Sequence, residues 1–133
     1  MKISKNFTLE EFTESDLAKR LNIDNKFEKE EYKDNIIKLV TYVLQPLRNE
    51  LKEPIHINSG YRCKELNKEV RGRYNSQHMQ GMAADIVTSN LENTMESLMN
   101  GNYKFDQLIR YRNFIHVSYN EGKNRNQVIY KNI

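Results

Sequence analysis

Three side chains in this sequence have the chemistry of a single metal site: His78, Asp85 and His116. Two imidazoles and one carboxylate form a common catalytic zinc set, because they fill three positions and leave a fourth for water. Water at such a position has a strongly lowered pKa and can attack an amide carbonyl. His78 stands in Ser76-Gln77-His78-Met79-Gln80-Gly81-Met82-Ala83-Ala84-Asp85, a polar loop running into a small-residue strand. Gly81 permits the turn between the two, and Ala83 and Ala84 leave room for a ligand sphere. Asp85 lies among Ala84, Ile86 and Val87, where a carboxylate is seldom found unless it is paired or on a metal. A capping or salt-bridged Asp is the competing reading, and local sequence does not separate the two. Alternation along Phe114-Ile115-His116-Val117-Ser118 puts His116 on one face with Phe114 and Ser118, opposite Ile115 and Val117. It is either a satisfied core histidine or the residue that closes the metal site.

The remaining candidates are weaker. His56 sits in an alternating strand with no carboxylate near it in sequence, and reads as a packing or surface residue. Arg62 follows Ser59-Gly60-Tyr61 on a loop. Beside a metal it would clamp a substrate carboxylate in bidentate fashion; elsewhere it would be a surface Arg. The single cysteine, Cys63, excludes an internal disulfide and a thiolate zinc cluster. Any metal is therefore held by His and carboxylate.

The elements that must position these residues follow from periodicity. Thr8 and Glu11 have capping-box spacing for a short helix through Phe12, and a second short helix covers Ser15 to Leu21. Ile36, Val40, Val43, Leu44 and Leu47 recur at three- and four-residue steps, which predicts a helix from about Lys29 to Leu51, kinked or tightened by Pro46. Ile55 to Ile57 reads as a strand, Lys64 to Val70 as a helical turn or two, and Arg71 to Gln80 as a loop. Ala83 to Val87 is a strand; Ser89 with Glu92 caps a helix that stops near Gly101. Phe105 to Tyr111 and Asn113 to Tyr119 form two strands with a tight connection, and Asn126 to Tyr130 a third. The expected fold is one α+β domain over residues 1–133, its N-terminal helices packed on a small, mostly antiparallel sheet.

Composition limits the function classes. A net charge of +3 with interleaved acids and bases gives no basic stripe, so nucleic acid is not an expected partner. No apolar run is long enough for a membrane span. The opening MKISKNFTLEEF lacks the apolar stretch of a secretory signal.

Several segments, in order, resemble the D-Ala-D-Ala carboxypeptidase and endopeptidase family of zinc peptidases (M15), most closely its short single-domain branch found in bacteriophages and mobile elements. They are Asn6 to Phe12, Leu44 to Arg48, Ser59 to Arg62, Leu66-Asn67 and the Ser76 to Asp85 segment, then Phe105 to Ile109, Ile115 to Tyr119 and Asn124 to Val128. The resemblance implies one zinc ion on His78, Asp85 and His116, with Arg62 on the substrate's carboxylate or scissile carbonyl and Ser76 lining the same pocket. It implies a monomeric metallopeptidase acting on peptidoglycan stem peptides. Such an enzyme would be cytoplasmic until lysis releases it, or carried on a virion.

One feature of the family is missing. Its general base, usually Glu, follows the Asp-Gln-Leu-Ile strand a few residues before the last histidine. Here the chain reads Arg110-Tyr111-Arg112-Asn113. Asp106 and Glu121 are the nearest acids; by alternation Asp106 shares a face with Leu108 and Arg110, which leaves it open as a base. Without a base, the same fold would serve as a non-catalytic, zinc-stabilised binding or structural module.

Overall fold

The long helix forms where the apolar spacing places it, but in three pieces. In the computed structural model, which describes all 133 residues, α3 (Glu30–Leu39) passes through a π-helical turn (Val40–Leu44) into α4 (Gln45–Leu51). The cause is Pro46. It has no N–H to donate and its ring crowds the preceding turn, so the chain widens there and the Gln45 amide reaches back five residues to the Val40 carbonyl. The turn is widened rather than tightened. Val40, Val43, Leu44 and Leu47 stay fully buried through it.

Ahead of this helix lie a two-stranded antiparallel hairpin, β1 (Lys2–Ser4) and β2 (Phe7–Thr8), and two short helices, α1 (Glu10–Thr13) and α2 (Asp16–Arg20). Half of the Thr8–Glu11 capping box forms: the Glu11 carboxylate accepts from the Thr8 amide at 2.9 Å, while no side chain caps α1 in return. The Gln45 amide side chain ties the hairpin to the long helix, accepting from the Asn6 amide at 3.0 Å and donating to Asn6 Oδ1 at 2.9 Å.

The main sheet has five strands in the order β3-β4-β6-β5-β7. They are β3 (His56–Ser59), β4 (Ala83–Val87), β5 (Gln107–Arg110), β6 (Ile115–Ser118) and β7 (Gln127–Tyr130). Neighbours run antiparallel except β5 and β7, which are parallel. The fold is α+β and mostly antiparallel, as expected. The helices are not all ahead of the sheet, however. α5 (Lys64–Glu69) and a 3-10 turn (Gln77–Gln80) lie between β3 and β4, and α6 (Leu91–Asn100) lies between β4 and β5. The cap of α6 is also one residue later than expected: Asn90 Oδ1 accepts from the Asn93 amide at 3.0 Å, while the Ser89 hydroxyl donates to Glu53.

One face of the sheet makes the core. Ile57, Ala84, Ile86, Leu108, Ile115 and Val117 join the long helix and Met95 and Leu98 of α6 in a single buried cluster. Each large aliphatic side chain buried there stabilises the fold by ~1.5–3 kcal/mol. The opposite face carries Asp85, Ile109 and His116 and is left for chemistry. His56 is exposed on β3, away from that pocket, as its sequence context indicates. No helix is long and apolar enough to cross a membrane.

Candidate metal centre

Asp85 and His116 are direct cross-strand partners in the β4–β6 ladder, which brings their Cβ atoms to ~5 Å. His78 comes from outside the sheet, on the 3-10 turn Gln77–Gln80. The Ser76 hydroxyl opens that turn by accepting from the His78 amide at 3.2 Å. Gly81 ends it with a φ of 72°, and a side chain at Gly81 would run into the Tyr32 carbonyl of α3. Only glycine combines that backbone with that close approach.

The ligating atoms of His78, Asp85 and His116 lie within 4.8 Å of one another. Asp85 Oδ1 is 3.3 Å from His78 Nε2 and 3.0 Å from His116 Nδ1. On its other side the His78 ring meets the Gly60 carbonyl at 2.7 Å through Nδ1. A carbonyl oxygen can only accept, so Nδ1 carries the proton and the Nε2 lone pair faces Asp85. Burial pushes the His78 pKa below its ordinary value against the opposing pull of Asp85, which keeps the ring neutral. Burial acts the other way on Asp85, but the neighbouring His116 and His78 outweigh it and hold the carboxylate well below the usual range. Neutral imidazoles and an ionised carboxylate are the forms that bind zinc. The residues present fit the metal.

Arg62 approaches the same carboxylate, its Nη2 lying 3.9 Å from Asp85 Oδ2. Two neutral partners hold the guanidinium: Ser59 Oγ accepts from Nε at 3.3 Å and Asn67 Oδ1 from Nη1 at 3.2 Å. Gly72 makes this possible, because a Cβ there would overlap both the Asn67 amide and Arg62 Nη1. Burial lowers the pKa of Arg62 while Asp85 opposes the shift, and a guanidinium remains charged in either case.

A pocket of about 730 Å³ opens over these groups, with His78, Asp85, His116, Arg62 and Ser76 all in its wall. Asp106 is not in that wall. It is 2% exposed and lies beneath the surface. Its oxygens accept from Arg125 Nε at 2.8 Å and Nη2 at 3.1 Å, and from Gln77 Nε2 at 2.7 Å. Register explains the difference. Ile109 is the partner of His116, so the odd-numbered residues of β5 face the pocket and Asp106 faces away with Leu108. Asp106 therefore acts as a structural clamp between the β7 approach and the His78 turn. Glu121 is also outside the pocket, in an ion pair with Lys38 at 2.7 Å.

The clamp has a pH signature. The Arg125 hydrogen bonds are the largest influence on Asp106 and lower its pKa; burial opposes them and Gln77 adds to them. A carboxylate whose folded pKa is depressed stabilises the protein above its unfolded pKa, and that stabilisation is lost as pH falls through the folded value. Asp106→Asn is expected to cost on the order of 1–3 kcal/mol near neutral pH, read by urea unfolding, with zinc stoichiometry unchanged. The gap to wild type should close as pH falls below about 4.

Sequence reasoning did not find the Gly60 carbonyl that orients His78, the Asn67 amide that holds Arg62, or Gln77 and Arg125 around Asp106. Gly60 and Asn67 lie in segments with a recognisable pattern, yet their roles depend on approaches between elements that no local spacing encodes. An α+β sheet that carries two imidazoles and a carboxylate beside an open pocket has the donor set of a mononuclear zinc hydrolase. A family model described as Peptidase M15 matches residues 5–118, and the chain belongs to that family. No curated protein matches it.

Proposed function

We propose that this chain is a zinc-dependent peptidoglycan peptidase that cleaves D-amino-acid-containing stem peptides or cross-links, in the setting of phage lysis or wall opening. The observation that carries the reading is the convergence of His78, Asp85 and His116 in one pocket with Arg62. Zinc held by these three would polarise the scissile carbonyl and lower the pKa of water at its open position. The protein's own contribution is positional. Gly60 fixes the His78 tautomer, the β4–β6 register fixes Asp85 against His116, and Asn67 and Ser59 hold Arg62 ready for a substrate carboxylate or carbonyl. Ser76 stands at the same wall.

A second reading has one observation in its favour. Asp85 is the sole carboxylate among the pocket-lining residues, so no acid is placed to accept a proton from the reacting water. A fold of this kind that binds zinc without turnover would be a recognition or structural module. Incubating the zinc-loaded protein with purified peptidoglycan decides between them. New amino termini appearing in the soluble fraction support the peptidase. Stoichiometric zinc with no bond cleaved supports the module, and failure to bind zinc removes both.

A further inference from the structure

The pocket wall has an unusual charge balance. Its single acid, Asp85, is committed to the two histidines, whereas Arg62, Arg73, Arg125 and Lys131 are all cationic. Arg125 is neutralised by Asp106. Arg62 faces the metal cluster. That leaves Arg73 and Lys131, both exposed and neither in an ion pair or side-chain hydrogen bond. The Lys131 ammonium sits 5.7 Å from the Tyr111 ring centroid, and Tyr111 stacks on Phe114 with centroids 4.5 Å apart. The far end of the pocket thus presents a free cation beside an aromatic pair.

Its distance from the reacting centre follows from the register. His116, Ile109 and Ile129 lie in one row across β6, β5 and β7, and Lys131 is two residues further along. Strand rise and spacing put the Lys131 and His116 backbones ~12 Å apart. An extended peptide covers that distance in roughly three residues.

We infer that the site selects stem peptides that keep a second free carboxylate, which Lys131 recognises while Arg62 serves the group at the metal, and that it discriminates against the amidated forms. This rests on the peptidase reading for the location of the peptide, but its test does not depend on turnover. The probes are two synthetic stem tetrapeptides, one with its glutamate α-carboxylate free and one with that group amidated, titrated into zinc-loaded protein by calorimetry. The acid form is expected to bind roughly fivefold more tightly at low salt, with the difference shrinking at high salt. Lys131→Met should abolish most of the difference. The variant should retain zinc and raise KM rather than lower kcat wherever cleavage is seen. Equal affinity for the two peptides, or a preference that survives in Lys131→Met, overturns the inference. Preferential binding with neither peptide cut leaves the inference standing, and the peptidase reading then falls only if whole peptidoglycan is not cut either.

Discussion

His116→Ala is expected to abolish stoichiometric zinc binding and to reduce peptide release from peptidoglycan at least ~100-fold, since even the groups behind a metal's ligands are worth 10–100-fold. The substitution removes one of three donors and leaves Asp85 with His78 and Arg62 alone. The fold should persist. β6 is held by its ladders to β4 and β5 and by the fully buried Ile115 and Val117 on the opposite face. Unfolding measured in the presence of a chelator should therefore change little, while the stabilisation that added zinc gives the wild type should vanish. His56→Ala is the matched control, because His56 is exposed and lies outside the pocket. If His116→Ala still binds one zinc per chain, the ligand assignment is wrong.

Tyr111→Glu is expected to raise kcat. A positioned general base contributes about 10²–10⁴-fold, and the pocket has no carboxylate free to act as one. Tyr111 lines the pocket on the same face as Ile109, two residues past the partner of His116. Strand geometry puts its backbone ~8 Å from that of His116, a separation that a Glu side chain and one water can bridge. The hairpin itself should tolerate the change, since the Tyr111 amide bonds the Phe114 carbonyl at 2.9 Å whatever the side chain. Arg110→Glu supplies the parity control. Arg110 faces the other way, donating to Glu92 at 3.0 Å, so an acid there should add nothing to turnover. Equal rates for wild type and Tyr111→Glu would mean that the proton already has a route the carboxylate does not improve.

Asp85 and His116 stood out in sequence because their signals are local, although their assignment as a ligand set came from the family resemblance and not from either segment. A carboxylate in an apolar strand and a histidine alternating with Ile115 and Val117 both require an unusual environment, and the structure gives them one. Asp106 was not resolved in the same way. Alternation paired it correctly with Leu108 and Arg110, but which face of β5 meets the pocket is set by pairing with β6, and that information is not in β5 alone. The α6 cap shows a similar limit at shorter range. Ser89–Glu92 and Asn90–Asn93 have the same spacing, and the choice fell to Asn90 because Ser89 is drawn to Glu53 across the surface. The π turn was half visible: Pro46 announced a disruption, but whether the turn would tighten or widen depended on keeping Val43, Leu44 and Leu47 in the core. The expectation of helices ahead of the sheet failed because α5 and α6 fall between strands, and the sheet order did not follow from periodicity either.

The cross-strand pairing of Asp85 with His116 has a consequence for how such a protein can change over time. The spacing of these two side chains is inherited from the sheet, not from any loop. Connections such as residues 101–106 or 119–126 can lengthen or shorten between lineages without moving either side chain. One residue inserted within β4 or β6 would do the opposite, turning a pocket side chain into the core and a core side chain into the pocket. Length variation should therefore collect in the connections, while the strands that carry Asp85 and His116 keep a fixed count.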